Sequence, residues 1–377
     1  MSVIHRTAAA AVAAGMTAAA GLAMAPAAGA MVHSQPSFIG QFHKLRTIGS
    51  TVPRNGDVNP YGTVLIHHSR GKLRRGIVLI SNFNNKANLQ GTGTTIVEVS
   101  PGGHRTRFAH ISASRLPGAC PGGVGLTTAL AVVHGWVFVG SLPTSNGMSP
   151  TAKAGCIIVL NSHGRVRKTF SGHGINGPWD MTSLRLGRFA DLFVTNVLNG
   201  TVAANGATVH RGTVLRLTLG FRHRHAPRLL AIRRIGSGFA ERTDPAALVV
   251  GPTGVGIGRG GSLYVADSVT NRIAVIPAAV MRHTSAGTGI TVTKNGALAT
   301  PLGLAIAPNG DVLTVNAANG KIVETTPGGT QVATRQLDSS GSPAGAGALF
   351  GLAVKGHGPV RGVYYVDDAT NTLRLLH

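Results

Sequence analysis

Apolar residues along this chain fall in short runs, many alternating with polar ones, and Gly, Asn, Asp and Pro separate the runs. The stretch 251–277, GPTGVGIGRGGSLYVADSVTNRIAVIP, shows the unit most clearly. A run opened by Pro-x-Gly is followed by a Gly-rich turn, a second run with period-two alternation that ends in Asp267, a polar turn and a third run. That pattern predicts three antiparallel strands in succession. A meander of this kind cannot bury both faces by itself, so it must stack against copies of itself.

The chain supplies the copies. The Pro-x-Gly opening recurs as Pro60-Tyr61-Gly62, Pro178-Trp179-Asp180, Pro252-Thr253-Gly254 and Pro301-Leu302-Gly303, with weaker versions at Thr127-Thr128-Ala129 and Leu349-Phe350-Gly351. Second strands are expected at 76–82, 135–141, 191–196, 262–267, 311–316 and 362–367, each followed by a third. Fourth strands follow in all units but the last, where the sequence stops at His377. The missing strand is found near the other end: HKLRTIGS at 43–50 parallels LAIRRIGS at 230–237, which ends the third unit. A strand before the first unit that matches a fourth strand is what a circular array needs to close without an unpaired seam. The expected fold is all-β, a six-bladed β-propeller closed by an N-terminal strand that completes the last blade.

The pattern Pro252-x-Gly254-Val255, Gly261-x-Leu263-Tyr264-Val265-Ala266-Asp267-Ser268, Asn271-Arg272-Ile273 resembles the NHL repeat. The fifth unit, PLGLAIAPNGDVLTVNAANGKIVE, is similar with a shorter turn, and the other four are degenerate. The resemblance runs from about residue 41 to the end and implies the propeller fold. It leaves function open, because NHL-type and related six-bladed propellers include peptide and RNA binders, lactonases, strictosidine synthase-like enzymes and lyases.

Before the repeats, His5 and Arg6 precede an uncharged Ala-rich run and the small-x-small pattern Ala28-Gly29-Ala30. That is the layout of a secretory signal peptide over 1–30, followed by a short linker over 31–40 and the propeller over 41–377. The expected location is therefore exported, either secreted or held in the periplasm or cell envelope. No later apolar run is long enough for a transmembrane segment. Formal net charge is +23 with only 12 acidic residues. Such a balance favours anionic surfaces such as envelope polymers or lipid head groups. Many of the cations, including Arg105, Arg107, Arg165, Arg167, Arg233 and Arg234, fall in fourth strands and the turns leading to them, at the outer edge and lower face. Aromatics are not interleaved with them, which disfavours nucleic acid as a partner. A monomer is expected.

Strands alternate in direction, so the turn leading into each first strand and the turn between second and third strands share a face, here called the upper one. Blades one to three carry long polar inserts on that face, at 83–93, 142–155 and 197–212. Loops grouped on one side of a rigid scaffold are a common binding surface. Around the upper channel mouth the position after Pro reads Tyr61, Thr128, Trp179, Thr253, Leu302, Phe350, and the next reads Gly62, Ala129, Asp180, Gly254, Gly303, Gly351. Small residues suit crowding near an axis. Asp180 is the exception. Tyr61, Thr128, Trp179, Asp180, Thr253 and Phe350 are thus the expected ligand-binding set, suited to a small molecule, a glycan or a protein. Aromatics plugging the channel, with Asp180 capping backbone N–H groups, would be the purely structural outcome.

The expected role is a binding module; the alternative is a metal-dependent lactonase- or lyase-like enzyme at the same mouth. Asp57, Asp180, Glu241 and Asp244 all fall on upper-face segments, and the resemblance to gluconolactonase-like propellers would make Asp180, Glu241 and Asp244 weak candidates for a divalent cation. The inner-strand Glu and Asn ligands of that pattern are missing, and His110, His173 and His210 form no zinc motif. No nucleophile elbow or phosphate loop is present. Cys120 and Cys156, both placed on the upper side of blade two, are expected to form a disulfide that ties its long loop down.

Overall fold

The computed structural model describes residues 36–377 except 224, 359 and 360. The expected signal peptide and the first residues of the linker lie outside this range. Six antiparallel sheets follow in chain order. Blade one comprises Val58–Leu65, Val78–Asn84, Thr95–Val99 and Arg105–His110; blade two, Leu126–Val133, Trp136–Ser141, Cys156–Leu160 and Val166–Phe170. Blade three comprises Gly177–Leu186, Phe189–Val197, Val209–Gly220 and Arg228–Asp244, with a short fifth strand at Leu248–Val250. Blade four runs through Pro252–Ile257, Leu263–Asp267, Arg272–Ile276 and Ile290–Lys294; blade five, through Pro301–Ile306, Val312–Asn316, Lys321–Thr325 and Gln331–Gln336. Blade six has Leu349–Lys355, Gly362–Asp367 and Thr372–Leu376, and its outer strand is Leu45–Ser50 from the other end of the chain.

That last pairing closes the ring. Leu45 stands opposite Leu376 and Ser50 opposite Thr372, with one irregularity between Thr47 and Gly49. Lys44 and His377 exchange backbone hydrogen bonds of 2.9 Å in both directions. A seam zipped in this way gives the last blade its fourth strand and joins the two ends of the described chain.

The inner strands crowd the axis, as the small residues there require. A Cβ on Gly254 would overlap the carbonyl oxygen of Leu302 in the next blade; one on Gly303, that of Phe350; one on Gly351, that of Tyr61. Hydroxyls bridge neighbouring blades at a similar level: Ser81 donates to Thr127 O at 2.7 Å, Thr127 to Pro178 O at 2.8 Å, Thr195 to Thr253 O and Ser268 to Pro301 O, each at 2.5 Å. Buried apolar side chains fill the space between blades, with polar side chains facing out on the fourth strands.

Two segments differ from the sequence expectation. Residues 238–244, which follow the end of the expected third unit, extend the fourth strand of blade three to 17 residues. The end of the insert at 197–212 supplies the partner, with Val209 opposite Glu241 and Gly212 opposite Phe239. Residues 36–42, expected to lie partly in a linker, are packed on blade five. Phe38, Ile39 and Phe42 are buried, and Glu324 accepts hydrogen bonds from Phe38 N at 2.6 Å, Ile39 N at 2.7 Å and the Ser37 hydroxyl at 2.7 Å. Three apolar side chains in so short a span are worth burying, and one carboxylate satisfies the turn that presents them.

Candidate functional site

The six residues expected at the upper mouth do converge on the axis, but not as an open rim. Tyr61 stacks on Phe350 with ring centroids 3.8 Å apart and on Phe83 at 4.5 Å, and Trp179 lies 6.4 Å from Tyr61. With Leu302 they form a buried plug. Thr253 is also buried, its hydroxyl close to the Ser268 hydroxyl at 2.7 Å.

The long upper loops are spent on covering this plug. Trp179 Nε1 donates to Val249 O at 3.0 Å, so the plug holds the short fifth strand of blade three above it. Ser149 donates to Leu248 O at 2.8 Å and Gln90 to Pro245 O at 2.6 Å, which binds the inserts of blades two and one to that strand and to the turn leading into it. Cys120 and Cys156 are joined by a disulfide, as expected, with Cα atoms 5.1 Å apart. The apolar character that suggested a recognition surface thus belongs to a lid, because large aromatics near the axis gain more from mutual stacking than from exposure.

Below the plug the channel opens toward the lower face. It is a cavity of about 720 Å³ lined by the lower parts of the first strands. Leu65, Leu130, Met181, Val255, Leu304 and Leu352 give it apolar walls, and Thr63, Thr182 and Ser183 add hydroxyls. Its mouth carries two cations, Arg70 and Arg185, and the imidazoles of His67, His68 and His134 stand beside them. Arg70 donates to His134 O at 2.8 Å, tying the mouth loops of blades one and two together. Burial, then the neighbouring His68 and Arg75, pull the His67 pKa below its ordinary value.

Two polar groups at the inner end keep unused hydrogen-bonding capacity. Thr128 is buried, lines the cavity, and its hydroxyl has no partner among the described residues. Asp180 also lines the cavity and is buried. One of its oxygens accepts from Met181 N at 2.8 Å and the other from Val255 N, in the next blade, at 3.1 Å. Burial pushes its pKa up to about 8, against the opposing pull of those two N–H groups. At neutral pH the group is therefore mostly a neutral acid with a proton to donate.

The other acids are committed elsewhere. Glu241 accepts from Asn199 N at 2.9 Å and from the Asn199 amide at 3.2 Å, and burial pushes its pKa up to about 7. Asp244 pairs with Arg242 at 3.3 Å and caps Ala246 N at 2.9 Å. Asp57 accepts from Thr94 N at 2.8 Å and from the Thr95 hydroxyl at 2.9 Å. The weak metal set Asp180, Glu241 and Asp244 is thus not brought together, and among the described residues no group of three or more His, Cys, Asp or Glu gathers that could hold an ion. A divalent cation of the lactonase kind does not fit this donor arrangement.

The sequence singles out Asp180 but not the open end of the channel. The signal for that end is the grouping of cations in the loops after the first strands of blades one and three, at Arg70, Lys72, Arg74 and Arg75 and at Arg185 and Arg188.

No protein-family model matches the chain, and no curated protein matches it in sequence. The similarity is to solved structures. A gluconolactonase from Xanthomonas campestris superposes with a TM-score of 0.55 at 11% identity, covering 88% of each chain. A luciferin-regenerating enzyme superposes with a TM-score of 0.54 at 11% identity, covering 89% of this chain and 95% of the other. A streptogramin B lyase gives 0.49 at 15% identity over 91% and 99%. At these identities the likeness shows the fold alone: the chain is a six-bladed β-propeller whose neighbours include propeller enzymes.

Proposed function

We propose that this propeller is an exported, NHL-type binding module that takes an amphipathic small molecule into the channel from the lower face. The observation that carries the reading is the inner end of the cavity, where the Asp180 carboxyl and the unpartnered Thr128 hydroxyl stand ready for a ligand. Concave sites with apolar walls and a few convergent polar groups are the usual form of a small-molecule site. The walls suit an apolar body. Asp180, protonated near neutrality, donates to a ligand oxygen at the blind end, and the cations of the mouth favour an anionic group left outside. Export is supported by the basic, Ala-rich start of the sequence, and the disulfide is compatible with it.

The alternative, a lactonase- or lyase-like enzyme, draws on the fold neighbours and on Asp180, whose raised pKa suits a general acid. Binding is favoured over catalysis because Asp180 is the single carboxyl that lines the channel and the histidines stand at its far end. A general acid with no base or nucleophile beside it completes no hydrolytic pair.

The test is a thermal-shift and calorimetric screen of apolar carboxylic acids and lactones against the wild type, Asp180→Asn and Thr128→Val. Saturable binding that weakens about tenfold or more in both variants is expected, since each buried hydrogen bond contributes roughly 1 kcal/mol or more. Binding unaffected by either substitution would overturn the channel reading. Catalytic turnover of a lactone that Asp180→Asn abolishes would replace binding with catalysis.

A further inference from the structure

The lower face of blade three carries exposed apolar side chains among exposed arginines. Its first two strands, which meet in the lower-face turn, are longer than their counterparts: 10 and 9 residues, where the first strands of blades four and five have 6 each. Leu186 and Phe189 face each other across its first turn and are 39% and 37% exposed. Phe189 is in turn opposite Gly220. Gly220 has no side chain, and Leu230, 49% exposed, lies over that gap, its Cδ1 3.1 Å from where a Cβ would be. The three apolar side chains therefore form one strip across the blade's end.

Arginines surround the strip. Arg185, Arg188, Arg222 and Arg228 are all exposed, and Arg188 stacks over the Phe189 ring at 5.1 Å. Arg185 also lines the channel, which puts the strip beside its mouth. Beyond blade two, on the blade-one loop, Arg70, Lys72, Arg74 and Arg75 are exposed on a turn anchored by buried Ile66 and Leu73.

The fold adds what the composition does not reveal. Of the 12 Asp and Glu residues, all within the described range, ten are buried and the other two, Asp244 and Asp368, are half-buried. No Asp or Glu side chain is exposed, so none stands among the surface cations of this face to pair with them.

We infer that the lower face docks on an anionic lipid bilayer, with Leu186, Phe189 and Leu230 entering the head-group region and the surrounding arginines pairing with lipid phosphates. A protruding apolar strip ringed by cations matches an interface that is anionic on its surface and apolar just beneath. A linear polyanion would use the cations but leave the strip without a role. Docking in this way would open the channel toward the lipid, a consequence independent of what the channel binds.

The experiment is co-sedimentation of the full chain with phosphatidylcholine vesicles, with or without phosphatidylglycerol. The variants are the triple Leu186→Ser/Phe189→Ser/Leu230→Ser and the triple Arg185→Gln/Arg188→Gln/Arg228→Gln, each checked for an unchanged melting temperature. Binding that requires phosphatidylglycerol is expected. The arginine triple should weaken it by roughly a hundredfold, since each cation near such a surface contributes about a factor of five. The serine triple should weaken it by at least about tenfold, because each exposed apolar side chain contributes on the order of a factor of ten when buried. Failure to bind at low salt would overturn the proposal. So would binding that the serine triple leaves unchanged and soluble polyphosphate or duplex DNA abolishes, which would assign the face to a linear polyanion.

Discussion

The Asp180 carboxyl group accepts a hydrogen bond from the backbone N–H of Val255 at 3.1 Å, across the junction of the third and fourth blades. At the same level of the other blades stand Gly or Ala, where the backbones come too close for a longer side chain. The one polar side chain on this inner ring therefore has two roles. It satisfies a buried donor of its neighbour, and it faces the cavity with the proton that burial makes it keep.

Asp180→Ala leaves the buried Val255 N–H without its acceptor, which costs roughly 1–3 kcal/mol. Asp180→Asn keeps the shape and one acceptor but turns an amide N–H toward one of the two backbone donors, so it is expected to cost a similar amount. Urea denaturation followed by circular dichroism checks both. A stability equal to wild type in either variant would show that the inter-blade hydrogen bond is not formed.

The pH dependence follows from the direction of the shifts. Burial raises Asp180 to about 8 and Glu241, Asp311 and Asp368 to about 7. Each binds its proton more tightly in the folded than in the unfolded chain, so the stabilisation is complete below the unfolded value near pH 4 and is lost as pH rises through 7 to 8. Glu324, lowered by its hydrogen bonds to Ser37, Ile39 and Phe38, works in the opposite sense at acidic pH. Melting temperatures are expected to fall between about pH 5 and pH 8 and to level off above that, with a shallower slope in Asp180→Asn. An unchanged slope in that variant would contradict a protonated Asp180.

Cys120 and Cys156 close a loop over a sequence separation of 36. Removing the cross-link restores loop entropy to the unfolded chain and is expected to cost roughly 3–4 kcal/mol in Cys120→Ser/Cys156→Ser. Denaturant titration of the oxidised wild type against the double variant measures it. The variant should retain the propeller spectrum, because blade two keeps its own strand pairing.

Gly303→Ala tests the crowding of the axis directly. Its Cβ would overlap the Phe350 carbonyl oxygen, part of a backbone that cannot yield without moving the next blade. A loss of roughly 3 kcal/mol or more, or failure to fold, is expected, against the few tenths typical of an exposed site. Gly187→Ala in the first turn of blade three, where nothing lies near the added methyl, separates steric overlap from backbone strain because its φ is +59°.

The closed wheel was legible in the sequence because it rests on local information repeated six times. Period-two alternation identifies strands, Pro-x-Gly and Asn-Gly turns identify their ends, and the match between 43–50 and 230–237 shows which strand the last blade lacks. The pairing of Cys120 with Cys156 was legible for the same reason, since blade phasing puts both on one side of one blade. Asp180 stood out as a carboxylate where the repeat calls for Gly or Ala. What the sequence left open was which end of the channel is free, since Tyr61, Trp179 and Phe350 could ring an open mouth or stack into a plug. That was decided by ring centroids 3.8–6.4 Å apart and by the strand Leu248–Val250 held above them, both set by the closed diameter of the ring. The absence of acidic side chains among the surface arginines was likewise a tertiary outcome: composition counts carboxylates, and only the fold places them inside.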